Sequence, residues 1–121
     1  MQQKKTLILG ASENPERYSY LALQKLKSHH HPVLAIGRRK ATVNDIEIVT
    51  NMPHITDVHT VTLYLNPKNQ EPYYDYILSL KPHRIIFNPG TENDTLEALA
   101  RAKGIQTQQA CTLVLLSTGQ Y

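Results

Sequence analysis

The residues best suited to chemistry form a short polar turn near the start of the chain. Gly10-Ala11-Ser12 follows the apolar run that starts at Thr6, and Arg17 and Ser19 lie a few residues further on. A glycine lets the backbone approach an anion closely, and the first turn of a following helix offers free N–H groups and a positive dipole end. Arg17 and Ser19 add side-chain donors. This pattern is typical of a phosphate-binding loop, with a simple tight turn as the alternative.

A second group of candidates is the basic cluster Arg38-Arg39-Lys40, which follows the apolar run closed by Gly37. An NAD site normally has an acidic residue here, which accepts hydrogen bonds from the ribose hydroxyls. Cations at this position instead suit a ribose that carries a phosphate, as in CoA or NADP. The fingerprint Gly-x-Gly-x-x-Gly is also missing, because Ser12 and Pro15 stand where its later glycines belong. NAD binding is therefore disfavoured, and a solvated charged turn is the alternative for the cluster.

Residues that would support catalysis or a metal site are sparse. His29, His30 and His31 are adjacent, so they cannot all face one metal from a helix, where ligands lie at i and i+4. The other histidines have no nucleophile beside them, and no paired carboxylates share a predicted helix face. The single cysteine, Cys111, excludes an internal disulfide and fits a reducing compartment. We therefore expect no metal, no catalytic residue and a cytoplasmic location.

The elements that must position these residues alternate between strands and helices. Apolar runs closed by glycine or proline predict strands at 6–10, 32–37, 46–49 (an edge strand), 59–65, 84–87 and 105–107. Helical spacing predicts helices from Tyr18 to before Pro32, from Asn66 to before Pro82, and from Asn93 or Asp94 to Gly104. Residues 111–117 fit a helix or a strand equally well. The sequence predicts one α/β Rossmann-like domain over 1–121, with an open parallel sheet of about five strands and helices on both faces.

Composition narrows the possible partners. The formal net charge is +3, but acidic residues occur throughout the chain and no basic stripe is interleaved with aromatic residues, so we expect no nucleic-acid binding. No apolar stretch approaches the roughly 20 residues that span a bilayer, so we expect no membrane association. The run from Tyr73 to Tyr76 cannot bury every ring on one helix face, which predicts an exposed tyrosine and leaves open a homo-oligomer or a partner protein.

The segment Gly10-Ala11-Ser12-Glu13-Asn14-Pro15-Glu16-Arg17-Tyr18-Ser19 resembles the phosphate loop of the small CoA-binding proteins related to the succinyl-CoA synthetase α subunit. The similarity runs from about Thr6 to Ser117. Asn66-Pro67 and Asn88-Pro89-Gly90-Thr91-Glu92 are similar to two further loops of that family. The chain differs from the family at Gly37-Arg38, where Asn-Pro is common, and at Asn88-Pro89-Gly90, where Gln-x-Gly is frequent.

The resemblance implies a nucleotide-binding module for CoA or an acyl-CoA that catalyses no reaction of its own. It places the diphosphate among Gly10, Ala11, Ser12, Asn14, Arg17 and Ser19. It also places the 3′-phosphate near Arg38, Arg39 and Lys40 and the adenosine beside Asn66 and Pro67. Further cofactor-binding residues are expected at Gly37, Asn88, Pro89 and Gly90. Two alternatives stay open. One is an NADP-binding reductase or a fragment of one, and the other is a regulatory or partner-binding subunit with a vestigial pocket.

Overall fold

A computed structural model describes residues 3–121, so Met1 and Gln2 of the predicted domain lie outside the described residues. Its strands are β1 (Thr6–Ala11), β2 (Val33–Gly37), β3 (Ala41–Val43), β4 (Ile46–Val49), β5 (Thr60–Leu63), β6 (Arg84–Phe87) and β7 (Gln106–Gln109). Its helices are α1 (Tyr18–Ser28), α2 (Pro67–Gln70), α3 (Tyr74–Leu80), α4 (Asp94–Ala102) and α5 (Thr112–Ser117), with a 3₁₀ turn at Glu71–Tyr73.

The strands form one sheet in the order β3-β4-β2-β1-β5-β6-β7. Neighbouring strands are parallel throughout, except that β3 runs antiparallel to β4. From β1 the chain builds one side of the sheet, and after β4 it crosses back to β5 and builds the other side. The direction of building therefore reverses between β1 and β5. In open α/β sheets this reversal marks the place where ligands bind, at the carboxyl ends of the strands.

Alternating strand residues bury the two faces of the sheet under different helices. The core on one face joins alternate residues of the central strands to α1 and α5, and its members include Ile8, Ile86, Leu23, Leu26 and Leu115. The core on the other face joins the intervening residues to α3 and α4, and its members include Leu9, Phe87, Ile77, Leu96 and Ala100. The α/β class and the placement of helices on both faces are thus confirmed.

The sheet has seven strands rather than about five, for two reasons. β3 is a three-residue edge strand that carries no sequence signal, and it makes β4 an internal strand rather than the predicted edge. β7 runs from Gln106 to Gln109 instead of 105–107, because polar residues without alternation hide its extent. Residues 112–117 form a helix, which resolves the open alternative for this segment.

Two expectations about helical residues were wrong. A spacing of four residues groups Tyr18 with Ala22 and Leu26 on one predicted helix face, but Tyr18 is 71% exposed, because the buried stripe runs through Ser19, Ala22, Leu23 and Leu26. The predicted helix from Asn66 to Pro82 is divided by a 3₁₀ turn at Pro72, whose missing N–H interrupts the helical hydrogen bonds.

The tyrosine run also differs from its prediction, because Tyr73, Tyr74 and Tyr76 are all half-buried. The Tyr74 hydroxyl accepts a hydrogen bond from Asn93 Nδ2 at 2.8 Å. The Tyr76 hydroxyl donates to the Pro53 carbonyl at 2.7 Å. The division of the helix turns these rings towards neighbouring segments, so the run offers no exposed ring.

The amino ends of the central strands are closed by Tyr121 lying over Arg84. The Arg84 guanidinium lies 4.4 Å from the centre of the Tyr121 ring and donates to the Tyr121 carbonyl at 3.0 Å. The Tyr121 hydroxyl is 2.5 Å from Thr6 Oγ1, and Lys4 Nζ also reaches the Tyr121 carbonyl. Arg84 is 6% exposed, and its Nη2 has no hydrogen-bond partner among the described residues. This end of the sheet is therefore rich in cations.

Within residues 3–121, no helix has the length and apolar character needed to cross a bilayer.

Candidate functional site

The predicted site residues meet at the carboxyl edge of the sheet, around the reversal between β1 and β5. Ala11 is the register partner of Gly37, which brings the loop after β1 next to the basic cluster after β2. The Tyr64 amide donates to the Leu9 carbonyl at 2.9 Å, so the loop after β5 starts beside Gly10. Leu63 pairs with Phe87, which adds the loop that starts at Asn88. The fold thus brings together all four predicted loops.

The loop between β1 and α1 is held by its own hydrogen bonds. Ser12 Oγ accepts from the Asn14 amide at 3.0 Å, and Asn14 Oδ1 accepts from the Glu16 amide at 3.0 Å. The Asn14 carbonyl accepts from the Arg17 amide at 3.0 Å. Ser12 and Asn14 therefore shape the loop, which is preorganised before any ligand arrives.

Helix α1 starts without a cap, which leaves a place for an anion. Its N-cap residue is Arg17, whose side chain makes no capping hydrogen bond, and the first turn has no acidic residue. Among the described residues, nothing accepts a hydrogen bond from the amides of Tyr18 or Ser19. Unpaired amides at the start of an 11-residue helix combine donors with the positive end of the helix dipole. This arrangement suits a phosphate group.

Gly10 and Gly37 are required by the packing of the strand ends. Gly10 has a φ of +100°, and a Cβ there would lie 3.0 Å from the Tyr64 carbonyl carbon. At Gly37 a Cβ would lie 2.3 Å from the Ala11 carbonyl oxygen and 2.9 Å from Ile48 Cγ2. The sequence analysis related Gly10 to the close approach of an anion. The structure shows that the protein's own backbone also leaves no room for a side chain at this position.

The cations around the loop have no acidic partners in the structure. Arg17, Arg38, Arg39 and Lys40 are all exposed. In the range 3–121 the ion pairs are Lys27 with Asp45 at 3.6 Å and Arg101 with Glu97 at 3.4 Å, and neither involves these four cations. Glu13 and Glu16 lie exposed in the same loop and offset part of the charge. The net excess favours a ligand with several negative charges.

The loop after β6 is anchored by Asn88, which is 2% exposed. Its Nδ2 donates to Thr62 Oγ1 at 2.7 Å and to the Leu63 carbonyl at 2.8 Å, and its Oδ1 accepts from the Thr112 amide at 2.9 Å. The Asn88 side chain is thus committed to joining β5, β6 and α5. The exposed residues of this predicted loop are Pro89, Gly90 and Glu92, and Glu92 Oε1 accepts from the Gly90 amide at 2.9 Å.

The floor of the edge between α1 and α5 carries a neutral phenol. Burial raises the pKa of Tyr64, and hydrogen bonding to Thr112 and Thr62 offsets this rise only in part. Tyr64 therefore stays protonated at physiological pH. Cys111, which precedes α5, is half-buried and free.

The histidines lie away from this edge. His59 and His83 stack with ring centres 5.1 Å apart near the amino ends of β5 and β6. Burial, and secondly the charge of Arg84, lower the pKa of His59 to about 4. In the described part of the chain, no three His, Cys, Asp or Glu side chains are grouped to hold a metal ion.

Two open cavities of about 630 Å³ each lie outside the predicted site. One lies at the amino ends of β6 and β7, lined by Lys81, His83 and Lys103 among others. The other lies on the sheet face beside Leu34, Val49, Pro53 and Ile55, where the β4–β5 crossover has no helix. Neither contains unpaired helix amides or a cluster of exposed arginines. The carboxyl edge is therefore the candidate site that we consider below.

A family model described as "CoA binding domain" matches residues 4–117. The chain belongs to this CoA-binding domain family. The match covers the four loops of the carboxyl edge and all seven strands. The expected family is therefore confirmed, whereas a specific relation to the succinyl-CoA synthetase α subunit stays a prediction.

Solved structures share the fold of this chain. A crystal structure of an uncharacterized protein is 52% identical, with each chain fully covered and a TM-score of 0.97. A hypothetical protein from Pyrococcus horikoshii OT3 is 22% identical, with 92% of this chain and 80% of that chain covered and a TM-score of 0.82. A Thermus thermophilus protein is 18% identical, with 99% and 92% covered and a TM-score of 0.84. The last two show the fold alone. No curated protein matches the chain.

The sequence reasoning missed the amide groups that tie the loops of this CoA-binding domain together. Gln70 is fully buried, and its Nε2 donates to the carbonyls of Leu65 and Thr91 at 2.8 Å each. Asn93 Nδ2 donates to Gln70 Oε1 at 2.9 Å. Asn93 was expected as a possible helix cap, and its Oδ1 does accept from the Leu96 amide. A lone glutamine in a polar segment gives no signal of such a role.

Proposed function

We propose that this CoA-binding domain binds CoA or an acyl-CoA at the carboxyl edge of its sheet and catalyses no reaction. The observation that carries the proposal is the uncapped start of α1 beside four exposed cations without ion-pair partners. CoA has a diphosphate and a separate 3′-phosphate, so it matches a site with two groups of phosphate donors. The family assignment supports the same ligand class.

In this proposal the diphosphate binds at the loop 10–19, against the amides of Tyr18 and Ser19 and the guanidinium of Arg17. Arg38, Arg39 and Lys40 bind the 3′-phosphate, because guanidinium groups pair with phosphate through charge-assisted hydrogen bonds. Asn66 Oδ1 caps α2 by accepting from the Asn69 amide at 2.9 Å, so this oxygen is already used by the protein. We therefore expect the adenosine to lie against Pro67 and the loop backbone.

The opposite end of the ligand is expected towards β6 and α5. Pro89, Gly90 and Glu92 are the exposed residues of that loop, and Tyr64 and Cys111 lie near the start of α5. Apart from Glu92, whose Oε1 accepts from the Gly90 amide at 2.9 Å, these residues provide an apolar and neutral setting for a pantetheine chain. A cytoplasmic location, where CoA is present and Cys111 stays reduced, completes the proposal.

Thermal unfolding with CoA, dephospho-CoA and NADP tests this function. A ligand at one hundred times its Kd stabilises the folded state by about 2.7 kcal/mol, which corresponds to a rise in Tm of roughly 10 °C for a domain of this size. CoA should stabilise more than dephospho-CoA at equal concentration. A larger effect of NADP would support a dinucleotide site instead, and no effect of any of the three would overturn the proposal.

The Arg38→Ala/Arg39→Ala double variant tests the phosphate assignment. We expect it to remove the preference for CoA over dephospho-CoA, about tenfold or more, since charge-assisted hydrogen bonds contribute roughly 1.5–3 kcal/mol. The matched control is Lys81→Ala/Lys103→Ala, which removes two exposed cations near the amino ends of β6 and β7, away from the predicted site. Loss of the preference in the control as well would show a general charge effect rather than a site at Arg38 and Arg39.

A further inference from the structure

The free edge of β7 is the least protected edge of the sheet. β7 pairs with β6 on one side, and no strand of the described chain pairs with its other side. Its four residues, Gln106 to Gln109, include no charged residue and no proline, the residues that usually block the edge of a sheet. The opposite edge, β3, is only three residues long and follows the basic cluster. An added strand is therefore favoured at β7.

The ladder to β6 shows which backbone groups of β7 are free. The amides of Gln106 and Ala110 donate to the carbonyls of His83 and Phe87 at 3.1 Å each. Residues of a strand point their N–H and C=O groups alternately to its two sides, so Thr107 and Gln109 direct theirs outward. A strand that pairs here would bond to these two residues.

We propose that β7 of a second copy of this chain occupies this edge, antiparallel and related by a twofold axis at Gln108. Thr107 then exchanges two hydrogen bonds with the partner's Gln109, and Gln109 does the same with the partner's Thr107. Gln108 faces the partner's Gln108 as a non-hydrogen-bonded pair, with Cα atoms about 4.5 Å apart. The pairing joins two seven-stranded sheets into one.

The charges on α4 fit this register. Arg101 Nε donates to Thr107 Oγ1 at 2.9 Å, so the Arg101 guanidinium lies level with Thr107. Glu97 lies one turn earlier on α4, about 6 Å away along the helix, which matches the rise of roughly 6.6 Å between Thr107 and Gln109. Since Thr107 meets the partner's Gln109, Arg101 lies level with the partner's Glu97. Glu97 of each copy thus faces Arg101 of the other copy across the axis.

The side chains at the axis are also self-complementary. A glutamine amide has both donors and an acceptor, so two facing copies of Gln108 can bond to each other. Two lysines or two glutamates at the same position would place like charges directly opposite, which is unfavourable in cross-strand pairs.

Sedimentation velocity of the full chain without nucleotide tests the proposal, and its outcome does not depend on CoA binding. We expect a concentration-dependent dimer for the wild type, and monomers for Gln108→Lys and for Gln108→Glu. Mixing these two variants should restore the dimer, because the lysine then faces a glutamate. A loss of fold would not be reversed by mixing, and circular dichroism melts check that each variant is folded.

The matched control is Gln120→Lys, which makes the same change at an exposed glutamine outside β7 and should leave the dimer intact. A wild type that stays monomeric up to roughly 100 µM, where weak protein pairs still associate, would overturn the proposal. So would a Gln108→Lys variant that remains a dimer, or a mixture of the two charged variants that stays monomeric.

Discussion

Replacing Gly37 by alanine should disrupt the junction between β1 and β2 and with it the loop that starts at Ser12. The new Cβ would lie 2.3 Å from the Ala11 carbonyl oxygen and 2.9 Å from Ile48 Cγ2. An ordinary carbon–oxygen contact is longer by about 1 Å, and the obstructing atom belongs to the backbone, so the two strands must separate. Overpacking of this kind costs roughly 1–3 kcal/mol, and backbone involvement places Gly37→Ala at the upper end.

Urea denaturation followed by circular dichroism measures this cost, because the midpoint falls with the free energy of unfolding while the slope reports compactness. We expect a loss of about 3 kcal/mol, or roughly 10 °C in Tm. The control is Gly104→Ala, where a Cβ meets nothing within 4 Å and only the φ of +78° is unfavourable. That variant should lose about 1 kcal/mol.

The relative stability of the two variants tests the close approach of β1 and β2. If Gly37→Ala unfolds at the same urea concentration as Gly104→Ala, or at a higher one, the close approach of β1 and β2 is not as described. A second readout is CoA affinity, which should fall in Gly37→Ala because a displaced Ala11 carbonyl shifts the start of the loop, and should not change in Gly104→Ala.

Three further predictions concern the polar interior. Asn88→Ala should cost about 3 kcal/mol in urea denaturation, since the buried Thr112 amide and a β5 carbonyl lose their partners, and a cost below about 1 kcal/mol would contradict the anchoring role. Gln70→Leu should weaken CoA binding with only a moderate loss in Tm, because it unties the loops after β5 and β6; unchanged affinity would count against this link. The folded pKa of His59 lies near 4, below the ordinary value of 6.5, so stability should be complete above pH 6.5 and decline as the pH falls towards 4. Because His59 is partly exposed, we expect a decline on the order of 1–2 kcal/mol, flattened in His59→Gln but not in His54→Gln; equal acid slopes for both variants would refute it.

The central half of the fold was predictable because its strands are unbroken apolar runs closed by turn residues. β1, β2 and β6 are runs of this kind. The predicted site residues other than Asn66 and Pro67 lie at the ends of these strands or in the loops that follow them. β7 was only partly predictable, since Gln-Thr-Gln-Gln has no apolar pattern and its strand conformation comes from pairing with β6. β3 depends on a hairpin with β4 and has no pattern of its own.

The candidate site was predictable to the level of loops and not to the level of atoms. The sequence places Gly10, Arg38 and Asn88 at strand ends, but it does not show which of them faces inward. Asn88 turns into the interior because β5 and α5 present an amide and two acceptors to it. Such long-range pairs depend on three-dimensional packing and leave no trace in local spacing.

The contact of Tyr121 with Thr6 and Lys4 has a consequence for the order of assembly. These contacts join residues 115 and 117 positions apart, so almost the whole chain forms the loop that they close. The entropic cost of closing that loop is offset only once the sheet between these residues has formed. The contacts of Tyr121 with Thr6 and Lys4 therefore form late in folding. In hydrogen exchange, the amides next to Tyr121 should accordingly open in smaller, more frequent fluctuations than those in the middle of β1.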